Sequence, residues 1–523
     1  MNTCKSKENK EISYSNNNKR IAKNTGILYI RMIFQLLISL YTSRVVLNVL
    51  GFSDYGIYNV VGGVVGMFGF LNGSMGTATN RFLTFELGRG YDKNQMQKVF
   101  TTSLLIHLFI CLFVLILAET VGLWYLNNKL VIPEGREFAT NVVYQCSIIA
   151  SLVAIISVPY NAAIVSREKM GAFAYITTFE VLLYLLVALS LNFIKADGLI
   201  IYAILIVLVK LLIQVIYLVY CKKNIDEVNG EILFDKSLFK QMSSFALWIM
   251  NGSFAVVCYT QGLNLLLNLF FGPVVNAARG IAVQVQSKIM GFCSNFQMAI
   301  KPQITKQYAA GDYKYMHVLV YNASVYSVLL MFFFSFPLML ESSFILEIWL
   351  VNVPEYTQEF VILTLCIGII ESLRDPINTC IHATGKIKKF QSIEGTASLL
   401  VLPLAYISLH LGYKPTSVFI VHLLVFVLLQ ILRVFLVCPK IYMKKRDYCI
   451  NVVFKSLMVI VPSILIIIPL KIILKEDNFY SFLLICISSS ICVLSFTYCF
   501  ILSKSQKVKI VDVVCDKIKS LMQ

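Results

Sequence analysis

The segment 198-GLIIYAILIVLVKLLIQVIYLVY-220 contains one charged residue, Lys210. A helix needs about 20 apolar residues to cross the hydrocarbon core of a bilayer. Backbone groups in lipid must be satisfied internally, which only a helix or a closed barrel achieves. The segment lacks the strict apolar–polar alternation of a barrel strand. It therefore predicts a transmembrane α-helix.

Comparable apolar runs recur along the whole chain. We predict an all-α polytopic membrane protein of about 14 transmembrane helices. The predicted spans are Asn24–Val49, Tyr55–Phe85, Val99–Glu119, Ala139–Val165, Ala172–Phe193, Gly198–Tyr220, Leu238–Phe270, Val274–Ala299, His317–Leu340, Tyr356–His382, Phe390–Leu411, Ser417–Cys438, Val452–Leu474 and Phe479–Leu502. The first two are separated only by Gly51-Phe52-Ser53-Asp54.

Composition excludes several other classes of protein. Hydrophobic residues make up 58% of the chain and charged residues 14%, whereas soluble domains carry about 25% charged residues. Most of the 45 Lys and Arg residues lie in the two tails and in every second loop, so the net charge of +17 reflects membrane orientation rather than nucleic-acid binding. This asymmetry predicts that both termini are cytoplasmic. The 14 cysteines show no C-x-x-C spacing, so we expect no metal site.

The chain contains a weak internal repeat. Residues 51–93 align without a gap on residues 272–314, matching Gly51 with Gly272 and Gly90 with Gly311. The repeat predicts two six-helix bundles of the same orientation, an organisation of transporters. We predict a cytoplasmic tail (1–23), an N-terminal bundle (24–221), a cytoplasmic linker (222–237), a C-terminal bundle (238–440), two additional helices (441–503) and a second cytoplasmic tail (504–523).

Two segments resemble a known family. The sequences 44-RVVLNVLGFSDYGIY-58 and 159-PYNAAIVSREKM-170 resemble the N-terminal signature and the junction of the fourth and fifth helices in Wzx-type polysaccharide-biosynthesis flippases. This family belongs to the superfamily that also contains the multidrug/toxin extruders.

The resemblance implies a flippase of the bacterial inner membrane. Such proteins move undecaprenyl-pyrophosphate-linked oligosaccharides to the outer leaflet by alternating access, for O-antigen or capsule assembly. It implies coupling to a proton or sodium gradient and no cofactor. The implied partners are the lipid-linked oligosaccharide, membrane lipids and the polysaccharide polymerase machinery, with no nucleic acid.

Charged residues within spans are costly in lipid and usually face a cavity or a partner. The candidates for a cationic cavity that binds the pyrophosphate are Arg31, Arg44, Lys210, Arg279 and Lys288. Lys210 and Lys288 lie near mid-span, which favours a cavity. For Arg31 and Arg279 a cavity and snorkelling to the headgroups remain open, and snorkelling is favoured for Arg44, Arg81 and Arg433.

The eighth span has two polar faces. At 100° per residue, Arg279, Gln286 and Gln297 share one face, while Gln284, Lys288 and Asn295 share nearly the opposite one. A helix that is polar on two sides cannot present a broad face to lipid. We therefore expect it inside the bundle, with one polar face lining a cavity.

Acidic residues and a histidine within spans are candidates for ion coupling. Glu180 is the preferred candidate, and His107 is the second. Glu371 and Asp375 are further candidates, although their spacing from Arg374 favours local ion pairs. In the second span, Gly62, Gly66, Gly69, Gly73 and Gly76 form a stripe that predicts close helix packing.

Nothing in the sequence indicates an enzyme. It contains no Walker-type loop, no zinc-ligand spacing and no long external loop of the kind expected in a membrane glycosyltransferase or polymerase. A cation-coupled multidrug/toxin extruder is the alternative function, although its cavity should be more acidic than the charges found here.

Overall fold

A computed structural model describes residues 2–66, 69–128, 132–193, 196–231, 233–350, 353–474, 478–502 and 507. These residues contain helices and connecting turns, with no strand among them. The all-α fold class is confirmed.

Nineteen α-helices are assigned within the described residues. They are α1 Asn2–Gly66, α2 Gly69–Arg89, α3 Lys93–Leu117, α4 Leu123–Asn128, α5 Glu137–Ser166, α6 Met170–Ser190, α7 Gly198–Asn224, α8 Lys236–Phe271, α9 Pro273–Ala309, α10 Tyr313–Leu340, α11 Ser342–Trp349, α12 Thr357–Glu371, α13 Arg374–Thr384, α14 Lys388–Leu399, α15 Val401–His410, α16 Thr416–Val437, α17 Lys445–Tyr448, α18 Lys455–Leu474 and α19 Phe479–Phe496.

Eleven helical segments of the described chain are long and apolar enough to cross a membrane. They are Asn17–Gly51, Lys93–Asn128, Glu137–Ser166, Met170–Phe193, Gly198–Asn224, Lys236–Phe271, Tyr313–Leu340, Lys388–His410, Thr416–Ile441, Lys445–Leu474 and Phe479–Ile501. Our second and eighth predicted spans lie in polar helical segments, and the tenth is interrupted between α12 and α13. About 14 helices is therefore compatible with the structure.

The glycines that the repeat matches have positive φ angles where helices break or end. Gly51 interrupts α1 with φ of 75°, and its repeat partner Gly272 separates α8 from α9 with φ of 81°. Gly90 and Gly311, the second matched pair, have φ of 122° and 73° after α2 and α9. Residues with a Cβ rarely adopt this region, so glycine is required where these helices end.

The chain divides into two compact units. Unit 1 comprises Met1–Phe254, Met298–Asp312 and His382–Ser392, and unit 2 comprises Ala255–Gln297, Tyr313–Ile381 and Ile393–Gln523. The first half of α8 and the end of α9 belong to unit 1, and the predicted domain bounds stay a prediction.

Each unit has its own apolar core. In unit 1, Val61, Val143, Tyr144 and Ile148 are nearly inaccessible to solvent. In unit 2, Leu267, Phe360 and Phe419 lie in one core, where the rings of Phe360 and Phe419 have centroids 4.2 Å apart.

Candidate functional site

Unit 1 encloses a cavity of about 490 Å³. It is lined mainly by small, hydroxyl-bearing and aromatic side chains, namely Ser39, Thr42, Ser43, Tyr58, Gly62, Asn72, Cys146, Ser147, Ala150, Ser151, Ala154, Val181, Tyr184, Tyr202, Ala203, Ile206 and Lys210. Ligand cavities typically measure about 300–1,000 Å³. This one therefore has room for an organic molecule or part of one.

An ion pair lies at this cavity. Lys210 on α7 places its Nζ 2.7 Å from Oε1 of Glu180 on α6. The same carboxylate oxygen accepts a hydrogen bond of 2.7 Å from the hydroxyl of Tyr184, one helical turn further along α6. The predicted candidates for cargo binding and ion coupling are therefore partners, and their charges cancel while Glu180 is ionised.

The predicted glycine stripe does not pack closely along its whole length. A Cβ atom at Gly62 or Gly73 would meet nothing within 4 Å, so the packing prediction is wrong at these two positions. Gly62 instead lines the cavity, where the missing side chain leaves space. A Cβ at Gly76 would lie 3.4 Å from Val158, which is a packing contact, while the side-chain positions of Gly66 and Gly69 lie outside the described residues.

Arg31 and Arg44 lie on α1 and do not line this cavity. The Arg31 guanidinium lies 4.6 Å from the ring centroid of Phe173, in a separate groove of about 280 Å³. Arg44 is exposed, and the described residues provide it with no ion pair.

One polar face of α9 is buried within unit 2. Arg279 is 5% exposed and donates to the side-chain oxygen of Asn264 and, over 3.0 Å, to the carbonyl of Thr260. Gln297 donates to Ser327 Oγ and to the carbonyl of Ser372, each over 3.0 Å. Since both partners of Arg279 are neutral, its positive charge is not cancelled by them.

The opposite polar face of α9 is accessible. Gln284, Ser287 and Lys288 are all exposed. Within the described part of the chain, Lys288 makes no ion pair or hydrogen bond. An uncompensated ammonium near the middle of a membrane helix is expensive in hydrocarbon, so this face requires water or an anion.

The tenth predicted span contributes a cation to an ion pair with another helix. The helix α12 ends at Glu371, and α13 begins at Arg374. Arg374 pairs with Glu394 on α14 at 3.1 Å, and Arg433 on α16 contacts the same carboxylate at 2.9 Å. Gln286 donates to Glu371 over 3.4 Å.

Two of the arginines assigned to snorkelling are held by protein groups. Arg433 has a side chain only 2% exposed, because Glu394 neutralises it inside unit 2. Arg81 donates to the carbonyls of His382 and Ala383 over 3.0 and 2.9 Å. Snorkelling was therefore wrong for both.

The remaining candidates for ion coupling lie apart from the cavity lining. His107 is fully buried in unit 1, with its Nδ1 atom 2.7 Å from the carbonyl oxygen of Ser103. Asp375 lies half-buried at the start of α13 in unit 2. No group of three or more His, Cys, Asp or Glu side chains with metal-binding geometry occurs within the described ranges.

Sequence reasoning missed a buried carboxylate at the junction of α5 and α6. Glu168 adopts φ of 58°, and its side chain is fully buried. It contacts Lys306 at 2.5 Å and Arg20 at 2.8 Å, and it accepts a hydrogen bond of 2.7 Å from Gln303. In the sequence, only its position within the motif at residues 159–170 indicated a role for Glu168.

Comparison with solved structures identifies the fold. No protein-family model and no curated protein matches the chain. A crystal structure of a mutant MATE protein matches with a TM-score of 0.71 and 12% sequence identity, over 82% of this chain and 96% of that one. This chain has the MATE transporter fold.

Two further structures support this assignment. The MATE fold is shared with a multidrug resistance MATE transporter of the MOP superfamily in an outward-facing conformation, with a TM-score of 0.70 and 12% identity over 82% of this chain and 96% of that one. The chain also matches a MOP superfamily transporter from Pyrococcus furiosus, with a TM-score of 0.68 and 13% sequence identity over 82% of this chain and 96% of that one. That transporter is described as having a binding pocket of reversed polarity, which suggests a different function for it. At 12–13% sequence identity, these matches establish the fold and not the cargo.

Proposed function

We propose that the protein is a transporter that exports an amphipathic, phosphate-bearing molecule by alternating access. The cargo class that we favour is the undecaprenyl-pyrophosphate-linked oligosaccharide of the bacterial inner membrane. The observation that carries this proposal is the exposed, unpaired ammonium of Lys288 on the polar face of α9.

The physical argument concerns the charge of the cargo. A pyrophosphate must cross a layer of low dielectric constant, where fixed cations replace part of its hydration shell. Lys288 can supply such a cation without first breaking an ion pair. Arg279 adds a second positive charge to the same helix, since its partners Asn264 and Thr260 are neutral.

The Glu180–Lys210 pair supplies a candidate for energy coupling. Protonating Glu180 would remove its negative charge and leave the Lys210 ammonium uncompensated at the cavity. The cavity would then hold one more positive charge than before. We propose that this change couples transport to a proton gradient.

A multidrug extruder is the second candidate function. The solved structures of this fold favour it over the flippase, because they include a multidrug resistance transporter. The cavity of unit 1 also fits it, since Tyr58, Tyr184 and Tyr202 offer aromatic faces to an organic cation. Protonation of Glu180 would then expel a cationic cargo by repulsion from Lys210.

One experiment separates the two candidates. The gene is deleted, and surface polysaccharide and resistance to cationic dyes are measured in the same strain. We expect loss of one surface polysaccharide with unchanged resistance. Sensitivity to the dyes with intact surface glycans would reject the flippase and support the extruder.

A separate transport assay tests the role of Glu180. Transport is measured in proteoliposomes at several pH values, with the wild type and with Glu180→Gln. We expect the variant to lose the pH dependence, while Tyr184→Phe, which retains the carboxylate and the aromatic ring, keeps it. An unchanged pH profile in Glu180→Gln would reject this residue as the coupling site.

A further inference from the structure

An open groove of about 690 Å³ follows one face of α8 in unit 1. It begins at the first residue of the helix and continues for about four turns. Its lining residues recur every three or four positions, which places them on a single face of the helix. They are Lys236, Phe239, Lys240, Ser243, Ser244, Leu247, Trp248 and Asn251.

The polar groups of this groove are not used by the protein. Lys236 and Lys240 are exposed, and the described chain gives neither of them an ion pair or hydrogen bond. The nearest acidic residue in sequence, Asp235, accepts hydrogen bonds of 2.8 and 3.0 Å from the backbone N–H groups of Ser237 and Leu238. The two ammonium groups therefore remain available to an anion.

The character of the groove changes along the helix. Lys236 and Lys240 lie at its start, the hydroxyls of Ser243 and Ser244 follow, and Leu247 and Trp248 come next. The distance from Lys236 to Trp248 along the axis is roughly 18 Å, at 1.5 Å per residue. The groove is cationic at its start, where Phe239 lies between the two lysines, then hydrogen-bonding, then apolar, and the amide of Asn251 is at its far end.

Neighbouring side chains of unit 1 contact both ends of the groove. At its start, the ring of Phe239 lies 6.0 Å from that of Phe109 and 5.8 Å from that of Phe234. Near its other end, the Lys388 ammonium lies 5.2 Å from the ring centroid of Trp248. Lys388 therefore adds a third positive charge beside Trp248.

We propose that this groove binds an anionic glycerophospholipid of the cytoplasmic leaflet. Lys236 and Lys240 contact the phosphate, Ser243 and Ser244 donate hydrogen bonds to headgroup or ester oxygens, and an acyl chain lies against Leu247 and Trp248. From Lys240 to Trp248, the order of groups along α8 matches the order of groups along such a lipid. Basic residues at the cytoplasmic end of a membrane helix attract anionic headgroups.

The lining of this groove shares no residue with the lining of the unit 1 cavity, and Lys288 is not part of it. Variants of the groove residues therefore test the lipid proposal without altering the residues proposed for cargo transport.

The test uses native mass spectrometry of the purified full-length protein. The protein is titrated with phosphatidylglycerol and, separately, with phosphatidylcholine. We expect preferential retention of phosphatidylglycerol by the wild type. The double variant Lys236→Gln/Lys240→Gln should bind it roughly 30-fold more weakly, since each lysine near a membrane surface contributes roughly a fivefold factor.

A matched control removes the same charge elsewhere on the predicted cytoplasmic side. Lys222→Gln/Lys223→Gln alters two exposed lysines that do not line the groove. We expect this pair to bind phosphatidylglycerol like the wild type. Equal weakening in both double variants, or equal retention of the two lipids by the wild type, would overturn the proposal.

A second variant fills the groove without changing its charge. Ser244 is exposed, so Ser244→Phe should fold normally, which an unchanged melting temperature in delipidated protein would verify. We expect reduced lipid occupancy with both lysines intact. Unchanged occupancy, or recovery of a phosphate compound other than a lipid from the groove, would also overturn the proposal.

Discussion

Lys306 Nζ lies 2.5 Å from Oε1 of Glu168, a carboxylate with no exposed side-chain surface. The two residues are separated by 138 positions, and Arg20 contacts the same carboxylate from α1 at 2.8 Å. Three segments of unit 1 are thus joined through one buried charge. Removing that charge would leave two cations close together.

We expect Glu168→Gln to destabilise the protein strongly. Breaking a buried ion pair by removing one partner typically costs about 3–5 kcal/mol, because the remaining charge is left uncompensated. The change should appear as a lower melting temperature of the detergent-solubilised protein. The double variant Glu168→Gln/Lys306→Met should recover part of the loss.

An exposed ion pair provides the control. Arg89 lies 3.8 Å from Glu86, and the arginine side chain is 61% exposed. Exposed pairs contribute about 0–1 kcal/mol, so Glu86→Gln should change the melting temperature little. Similar effects of Glu168→Gln and Glu86→Gln would contradict the interpretation of Glu168 as a buried junction.

A second charge cluster predicts a loss of stability when its cation is removed. Arg136, just before α5, contacts Asp54 and lies 2.6 Å from Asp197. The hydrogen bond to Asp54 raises the pKa of the Arg136 guanidinium above its ordinary value. This contribution to stability is present below the pKa of an unfolded arginine and is lost only as the pH rises above it.

Arg136→Gln should leave the carboxylates of Asp54 and Asp197 without their shared cation. At pH 7 their repulsion should lower stability by roughly 1 kcal/mol, the upper range for partly exposed pairs. An unchanged melting temperature of Arg136→Gln at pH 7 would contradict this explanation.

The sequence predicted the positions of the helices better than the ion-pair partners of their charged residues. Apolar length carries local information, and it predicted helices in the segments that contain α2 and α9 although both are polar. The matched glycines Gly51/Gly272 and Gly90/Gly311 all have a positive φ in the structure.

Ion-pair partners could not be predicted from spacing along one helix. Glu180 has Tyr184 on its own helix, but its cation, Lys210, comes from the next helix. Arg374 has two acidic neighbours in sequence, yet it also forms an ion pair with Glu394 on another helix. Only tertiary packing determines such partners.

Membrane orientation gives a third prediction. The distribution of Lys and Arg places the loops at Asn94 and Asn229 in the cytoplasm and those at Asn127 and Tyr413 outside. All four side chains are exposed. In a cysteine-free background, an impermeant thiol reagent should label Asn127→Cys and Tyr413→Cys in intact cells, while Asn94→Cys and Asn229→Cys react only after lysis.

The result at Asn229 is the most informative. It lies between α7 and α8, after an even number of predicted spans from a cytoplasmic N-terminus. Its labelling in intact cells would reject the equal orientation of the two predicted six-helix bundles.

The last prediction concerns Lys288 and distinguishes cargo binding from a structural role. Because Lys288 is exposed and has no partner within the described chain, Lys288→Ala should leave protein abundance and melting temperature unchanged. If the ammonium compensates a pyrophosphate in transit, the same variant should abolish the surface polysaccharide. Lys288→Arg should retain part of it, since a guanidinium also binds phosphate. Gln284→Ala, one turn away on the same exposed face, is the matched control and should transport normally. Normal polysaccharide export by a well-expressed Lys288→Ala variant would reject Lys288 as an anion-binding residue, and loss of abundance would show that the lysine has a structural partner instead.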